Sequence, residues 1–289
     1  MYDLLVIGGL GVDVRVRVPG LPLPVVDSVT VDPIDLRIGN TGAGVLLAAH
    51  ALGLRVAVID TIGADPAGDV VRAALARTGV HATLAEDPAG TRRSVNLVDP
   101  AGHRMALYDP RDSDGPAPFP TERVAALVED ATHVHLSIMG WVRDLLPDLA
   151  DVLAEGVSSS TDLHDWDGRN PYHRPFAEIA ELVLVSGAAL GDRAAGTAAT
   201  FAPGPVLVTR GADGAELHLG GRVHRVPAAV PPGPVVDTNG AGDAFAAGVV
   251  AARSRGATWA EAAGYAAGVA AAACTHDGME YPPGLLPLP

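Results

Sequence analysis

The sequence contains no lysine and a single cysteine, Cys274, among its 289 residues. All 20 basic side chains are therefore arginines, against 34 acidic ones, and the formal net charge is −14. A lysine-based phosphate-binding loop is excluded, so a positively charged phosphate ligand must be an arginine or a metal ion. Because there is one cysteine, neither an internal disulfide nor a cysteine-based zinc cluster can form.

The sequence also lacks the features of proteins that bind nucleic acids or anionic membranes. Both kinds of partner need basic patches, and this chain is strongly acidic. No apolar run reaches the ~18 residues that a membrane span needs. The first residues have no basic segment, and their apolar run is too short for a signal peptide. We therefore expect a cytoplasmic protein with a small-molecule partner and neither a nucleic acid nor a membrane as partner.

Short apolar runs alternate with helical patterns along most of the chain, and strictly so from about residue 121. Repeated strand–helix units with short connections predict an α/β fold with a doubly wound, mostly parallel sheet and helices on both faces. We expect one such domain over residues 1–289. Ligands of these sheets bind beyond the carboxyl ends of the strands, where the glycine-rich turns of this sequence lie.

Two stretches show a different pattern and predict a small β-sheet lid beside the main domain. Apolar and polar residues alternate over about 12–38, and residues 91–108 have the composition of a hairpin. The neighbouring Gly9–Gly11 turn superficially matches a dinucleotide-binding loop. That fingerprint needs a small residue at position 14, which is valine, and a helix after the turn, which the alternation excludes.

The segment from Pro234 to Gly248 combines three features. Val235 and Val236 have the composition of a strand end, Gly240 to Gly242 form a turn of small residues, and a helical pattern follows. A glycine turn before a helix directs free backbone N–H groups and the positive end of the helix dipole toward an anion. Asp243 lies within that cradle, where its carboxylate would repel a phosphate unless it accepts a proton from a hydroxyl that attacks the phosphate.

Residues 237–248 have the pattern Asp-Thr-x-Gly-Ala-Gly-Asp-x-Phe-x-x-Gly. The sequence thereby resembles the ribokinase-like sugar kinases of the phosphofructokinase-B type. The resemblance extends along nearly the whole chain, to three further motifs at Gly8 with Asp13, Gly39 to Ala49, and Thr209 with Gly211 and Gly214. The fold of this family, a doubly wound α/β domain with a small β-sheet lid, agrees with the patterns above.

The resemblance implies an ATP-dependent kinase that transfers the γ-phosphate to a hydroxyl of a sugar or sugar-like molecule. It implies roles for four groups of residues: Asp243 as base; the backbone of Gly240, Ala241 and Gly242 as anion hole; Asp13, Gly39 and Asn40 at the acceptor; and Thr209, Gly211 and Gly214 at the nucleotide. It further implies Mg²⁺ and possible K⁺ near Asp237. Apart from the resemblance, the exposed edges of the lid predict that two copies pair in a homodimer. At a helix N-terminus, the pKa of Asp243 should be lowered.

The sequence departs from the family pattern at several positions. Asn40 replaces the second glycine of the first glycine motif, and Gly44 replaces the asparagine that binds acceptor hydroxyls. The Asn-x-x-Glu that organises magnesium is absent, since residues 186–189 are Ser-Gly-Ala-Ala. Two alternatives therefore remain open, a nucleoside kinase of the same fold and a catalytically weak ligand-binding relative.

Several candidate residues also have structural interpretations. Asp13 would be a solvated strand residue, Asn40 a helix N-cap and Asp237 a turn former. Arg92 and Arg93 would either reach the acceptor or line a solvated strand face. One polar stretch could be taken for a metal cluster, but its spacing matches no strong ligand pattern, and a polar loop is the better interpretation. It contains His164, Asp165, Asp167 and His173.

Overall fold

A computed structural model describes residues 1–100, 103–111, 118–164, 166–188, 190–193, 196–197, 200 and 204–289. The strands are β1 (Leu4–Ile7), β2 (Gly11–Arg17), β3 (Asp35–Gly39), β4 (Val56–Ile62), β5 (His81–Glu86), β6 (Arg93–Val98), β7 (Arg104–Asp109), β8 (His133–Leu136), β9 (Ser158–Asp162), β10 (Leu182–Ser186), β11 (Val206–Thr209), β12 (Ala215–Leu219) and β13 (Arg222–Val226). The helices discussed below are α1 (Thr41–Ala51), α2 (Pro66–Thr78), α3 (Thr121–Glu129), α4 (Gly140–Ala154), α5 (Arg174–Ile179), α6 (Ala241–Arg253) and α7 (Trp259–Ala273).

The main sheet has the order β13-β12-β11-β10-β9-β8-β1-β4-β5. Every pairing from β11 to β5 is parallel, and only the β11–β12 and β12–β13 pairings at one edge are antiparallel. The crossover connections place helices on both faces, which confirms the predicted doubly wound α/β fold with a second, smaller sheet. The parallel strands end at a common edge, and the site described below lies there.

The central strand β1 shows how the sequence positions this sheet. All four of its side chains are fully buried. Leu4 and Val6 point into a core formed with α1, α2, α6 and α7, whereas Leu5 and Ile7 point into a core formed with α3, α4 and α5. A strand covered on both faces needs a continuous apolar run, and such a run marks β1 in the sequence.

The smaller sheet has the order β3-β2-β6-β7 and forms the lid. One face is polar and is turned toward the carboxyl edge of the main sheet. The other has an apolar row across all four strands, because the register pairs Val14 with Leu36 and Val95, and Val95 with Leu107. Of the stretch 12–38, only β2 and β3 have strand structure.

Several features differ from the sequence predictions. Val235 and Val236 do not end a strand; both are exposed, and the N–H of Val236 donates to the carbonyl of Cys274 after α7. Arg92 neither lines a solvated face nor reaches an acceptor. Its side chain is 2% exposed and donates to the carboxylate of Asp60 and to the carbonyl of Thr61. An arginine this deeply buried is held by ion pairing and hydrogen bonds inside the domain.

Candidate active site

The N-terminus of α6 leaves backbone donors open toward the carboxyl edge of the sheet. Gly240 precedes the helix with φ 78°, a left-handed conformation that favours glycine, and no side chain caps this helix. The N–H of Ala241 donates to the carbonyl of Thr238 at 3.3 Å. The N–H groups of Gly240 and Gly242 have no hydrogen-bond partner among the described residues. Open donors at the positive end of a helix dipole suit an anion.

Asp243 lies in the first turn of α6, and its carboxyl group is buried without a hydrogen-bond partner among the described residues. Burial raises the pKa of this carboxyl well above its ordinary value, and the negative charges of Asp162 and Asp13 raise it further. The predicted lowering of this pKa is therefore wrong. The helix N-terminus does favour the anion, but loss of solvation and two nearby carboxylates outweigh it.

Gly44 on α1 is the reason that Asp243 fits between the two helices. A methyl group at position 44 would overlap the carboxylate of Asp243. The glycine that replaces the family's asparagine is thus in contact with the predicted base. At this position the sequence has exchanged a polar side chain for direct packing of α1 against the carboxyl group.

Asp13 lies across the site from α6, on the polar face of the lid strand β2. It is 8% exposed, and it accepts hydrogen bonds from Ser94 Oγ at 2.7 Å and from Asn239 Nδ2 at 3.0 Å. A side chain at Gly39 would overlap its carboxylate. Asp13 and Gly39 are therefore neighbours, and a solvated position for Asp13 does not agree with its burial; their role at the acceptor stays a prediction.

Asn40 is the N-cap of α1, and its role in the acceptor pocket stays a prediction. Its Oδ1 accepts the N–H of Thr41 at 3.1 Å and so caps α1. Its Nδ2 is buried, has no partner among the described residues and lies beside Gly11 at the start of β2. A buried amide donor without a partner is costly in the free protein, and a ligand oxygen would satisfy it.

Asn239 and Arg104 belong to this site but were missed in the sequence. Asn239 is a variable position of the motif, yet its side chain bridges Asp13 and Arg104, the latter at 2.6 Å through Oδ1. Arg104, on the lid strand β7, interacts electrostatically with Asp243 and opposes the rise of its pKa. The alternation of side chains along the predicted hairpin was the one sequence feature that indicated that Arg104 lies on the polar face of the lid.

The residues predicted to bind the nucleotide lie at the same carboxyl edge of the sheet but apart from the hydrogen bonds around Asp13 and Asn239. Thr209 ends β11, and the turn after it runs through Gly211 and Gly214, with the N–H of Arg210 donating to the carbonyl of Gly214 at 2.8 Å. Among the described residues, no hydrogen bond or ion pair joins this turn to Asp243.

Within the described residues, no group of three or more histidine, cysteine or acidic side chains has the geometry of a metal site. Asp165, one of the loop residues considered above, lies outside them, as does Ala189. Mg²⁺ at phosphotransfer sites is held by one or two carboxylates together with substrate phosphates. Asp162 fits that role, because a cation held there with the nucleotide would also offset the repulsion between Asp162 and Asp243.

The comparisons with known proteins agree with this geometry. A model of the pfkB family of carbohydrate kinases matches residues 174–283. The acarbose 7(IV)-phosphotransferase of an Actinoplanes species is 40% identical over 278 residues, which are 94% of this chain and 92% of that protein. The chain belongs to the pfkB family of carbohydrate kinases.

Solved structures of related kinases have the same fold. The microbiome-derived acarbose kinase Mak1 is 43% identical, with a TM-score of 0.87 over 98% of this chain and 95% of that one. Ribokinase from Arabidopsis thaliana, complexed with ribose and ATP, is 19% identical with a TM-score of 0.79, covering 99% of this chain and 96% of that one. The protein is accordingly a phosphotransferase that acts on an alcohol group of a sugar-like substrate. None of its described helices is long and apolar enough to cross a membrane.

Proposed function

We propose that this carbohydrate kinase transfers the γ-phosphate of ATP to a hydroxyl of a sugar-like acceptor at the N-terminus of α6, with Asp243 as the base. The observation that supports it most is the position of that carboxylate. It is buried, has no hydrogen-bond partner among the described residues and lies one turn from the open N–H groups of Gly240 and Gly242. A carboxylate there has a use only if a hydroxyl and a phosphate meet beside it.

The raised pKa of Asp243 makes it a stronger base than a solvated carboxylate once it is ionised. Asp13 and the Nδ2 of Asn40 would bind acceptor hydroxyls and orient one of them toward Asp243. The backbone N–H groups of Gly240, Ala241 and Gly242 would stabilise charge on the phosphoryl group during transfer. Magnesium bound with ATP would neutralise phosphate charge, and Thr209, Gly211 and Gly214 would line the nucleotide site.

Arg104 would supply a positively charged side chain near the phosphate site at the N-terminus of α6, in a sequence without lysine. Its guanidinium is exposed on the lid and is near enough to Asp243 to influence its pKa. An exposed guanidinium facing open N–H groups would attract ATP phosphates when the lid is closed. A cytoplasmic location, where ATP and magnesium are supplied, belongs to the same proposal.

The acceptor is best sought with acarbose first, because two relatives at 40% and 43% identity are named for it. The test is ATP turnover with magnesium against acarbose, simple sugars and nucleosides, with Asp243→Asn as control. Turnover with a nucleoside alone would favour the nucleoside-kinase alternative. Absence of any acceptor-dependent turnover above that of Asp243→Asn would favour the weak ligand-binding relative.

We also propose a homodimer, formed through the apolar outer face of the lid instead of its edges. Leu36 is 48% exposed, Leu107 53% and Met105 45%, in and beside the apolar row across the sheet. A second copy would cover this face through an isologous contact. Light scattering of Leu107→Glu should then give a monomer mass where the unmodified protein gives a dimer mass; equal masses would contradict the interface.

A further inference from the structure

Asp237 begins the segment that leads into the anion-hole turn, and its carboxylate is saturated by donors. The side chain is 7% exposed. Its Oδ1 accepts the N–H of Asn239 at 2.9 Å, and its Oδ2 accepts the N–H of Gly278 at 3.4 Å and contacts the guanidinium of Arg15. The carboxylate therefore has both a counter-charge and hydrogen bonds from within the chain.

Arg15 extends from the lid strand β2 and is itself largely buried, with 12% of its side chain exposed. Its other terminal nitrogen pairs with Asp277, in the loop after α7. Arg37 also pairs with Asp277, at 3.1 Å, and donates to its backbone carbonyl at 2.7 Å. Arg15 thus joins the lid, the anion-hole segment and the loop after α7 at one point.

The charges at this point do not fit an added monovalent cation. Three carboxylates, those of Asp35, Asp237 and Asp277, face the guanidinium groups of Arg15, Arg17 and Arg37. The formal charges of the cluster therefore balance, and a further cation would find no carboxylate without a counter-charge. Potassium also needs several oxygen ligands, whereas the oxygens of Asp237 are taken by N–H donors.

We infer that Arg15 is a built-in cation that positions the segment from Asp237 to Gly240, so that the kinase needs no potassium. Asp13 and Arg15 alternate on β2 and lie on the same face of the lid. One strand therefore holds the acceptor residue and the positioning residue of the anion hole. Closure of the lid and alignment of the anion hole are then one event. The activity tests of this inference rest on the proposed function.

The first test needs no variant and no acceptor. Two quantities are measured in potassium chloride and in choline chloride at equal ionic strength. They are the melting temperature of the protein and its affinity for the magnesium complex of a non-hydrolysable ATP analogue. Both quantities should be the same in the two salts. A rise in melting temperature or tighter nucleotide binding specific to potassium would show a bound ion, since a ligand of the folded state stabilises it, and would overturn the inference.

The second test compares Arg15→Met with Arg17→Met. Arg17 is the matched control, because it lies on the same lid face but, among the described residues, pairs only with Asp277, at 3.6 Å and partly in solvent. With acarbose and ATP, Arg15→Met should lower kcat about tenfold to a hundredfold, the size of effect that slight misplacement causes. The KM for ATP should change little, and added guanidinium or potassium should restore part of kcat. Arg17→Met should match the unmodified protein.

Equal losses in the two variants, or no rescue of Arg15→Met by either cation, would overturn the positioning role. Should Arg15→Met fail to fold, Arg15→Lys supplies the test, because it keeps a positive charge and should retain most of kcat in choline chloride. Loss of kcat in a folded Arg15→Lys without rescue by guanidinium would count against the inference. Failure of the proposed function would appear as no turnover in any variant and would leave the salt comparison interpretable.

Discussion

The two glycine-rich helix starts at the cleft, those of α1 and α6, differ in how their N–H groups are used. At α1, the N–H of Thr41 donates to the side chain of Asn40, that of Ala43 to the carbonyl of Gly9, and that of Gly44 to the carbonyl of Asn40. At α6 no side chain caps the helix, and the N–H groups of Gly240 and Gly242 lack partners among the described residues.

The difference assigns separate tasks to two similar motifs. At the start of α1, only the N–H of Gly42 lacks a partner among the described residues. A helix start with most of its donors bonded inside the protein can contribute side chains but offers little to an anion. A helix start with open donors can bind a phosphate. We therefore interpret α1 as the wall that shapes the acceptor side and α6 as the phosphate side, with Gly44 and Asp243 at their contact. The variants below test this division, beginning with the largest expected effect.

Removing the charge of Asp243 should have the largest effect on activity. Asp243→Asn keeps the volume of the side chain but cannot take a proton from the acceptor hydroxyl. We expect kcat to fall about 10²- to 10⁴-fold, the usual contribution of a general base. The KM for ATP should stay similar, because the backbone donors of α6 remain. Initial-rate kinetics with acarbose measure both, and a fall of only a few-fold would remove Asp243 as the base.

The same substitution should stabilise the free protein at neutral pH. The folded pKa of Asp243 lies above the unfolded value, so the carboxyl group favours folding only while protonated. That contribution is fully present below the unfolded pKa and is lost as pH rises through the raised folded pKa. Asp243→Asn should therefore melt at a higher temperature than the unmodified protein at neutral pH, and the difference should vanish near pH 3 to 4, about the pKa of an unfolded aspartate. A difference independent of pH would contradict the assigned cause.

The turnover of the unmodified protein should follow the same ionisation. Only the deprotonated carboxylate accepts a proton, so kcat/KM should rise with pH through the raised pKa of Asp243 in the free enzyme. A profile already flat at mildly acidic pH would show that bound ligands or cations, not burial, set the ionisation of this group.

Gly44→Ala and Gly42→Ala separate the roles of α1. A methyl group at position 44 meets the side chain of Asp243, whereas one at position 42 meets the backbone of Gly8 and Gly9. Gly44→Ala should lower kcat on the order of tenfold to a hundredfold by displacing the base, and it should also cost stability, because the Cβ of the buried Asp243 would have to move with its carboxylate. Gly42→Ala should mainly lower the melting temperature.

Gly264→Ala in α7 is the matched control, because nothing lies within 4 Å of its added methyl group. It should raise stability by up to about 1 kcal/mol through helix propensity and leave kcat unchanged. A Gly44→Ala variant that behaves like this control would show that Gly44 has no special relation to Asp243.

Arg104→Gln addresses the lid side of the phosphate site. It removes the positive charge but retains a hydrogen-bond donor toward Asn239. We expect kcat/KM for ATP to fall on the order of tenfold, the effect of losing one charge-assisted contact, and the loss to shrink at high salt, because the side chain is exposed. Arg111→Gln, on an exposed arginine paired with Asp109 beyond the lid strand, is the control and should not change either quantity.

The sequence predicted the frame of the molecule better than its polar contacts. Alternating strand and helix patterns, glycine turns and the residues 237–248 were sufficient for the fold class and for the family, whereas the role of Asp243 stays a prediction. The edge strands β12 and β13 were missed. Their turn at Gly220 and Gly221 is a hairpin composition, but flanking His218 and Arg222 obscured the apolar alternation.

The missed site residues share one physical cause. Asn239, Arg104 and Arg15 act across the gap between lid and main domain, and pairings so distant in sequence leave no local pattern. The pKa of Asp243 was mispredicted for a related reason. Its helix dipole is visible in the sequence, but the neighbouring carboxylates of Asp13 and Asp162 come from other strands.

Asn40→Gly should have the smallest effect on the kinetic constants. It tests whether the start of α1 donates a hydrogen bond to the acceptor. Asn40 has φ 73°, which glycine adopts without strain, and glycine is only a few tenths of a kcal/mol worse than asparagine as an N-cap. Stability should therefore hardly change. The unpartnered Nδ2 is lost, so the KM for the acceptor should rise several-fold, by the loss of one hydrogen bond of about 1 kcal/mol, while the KM for ATP stays constant. An unchanged acceptor KM with a lower melting temperature would make Asn40 a cap alone, and the wall formed by α1 would then contact the acceptor without donating to it.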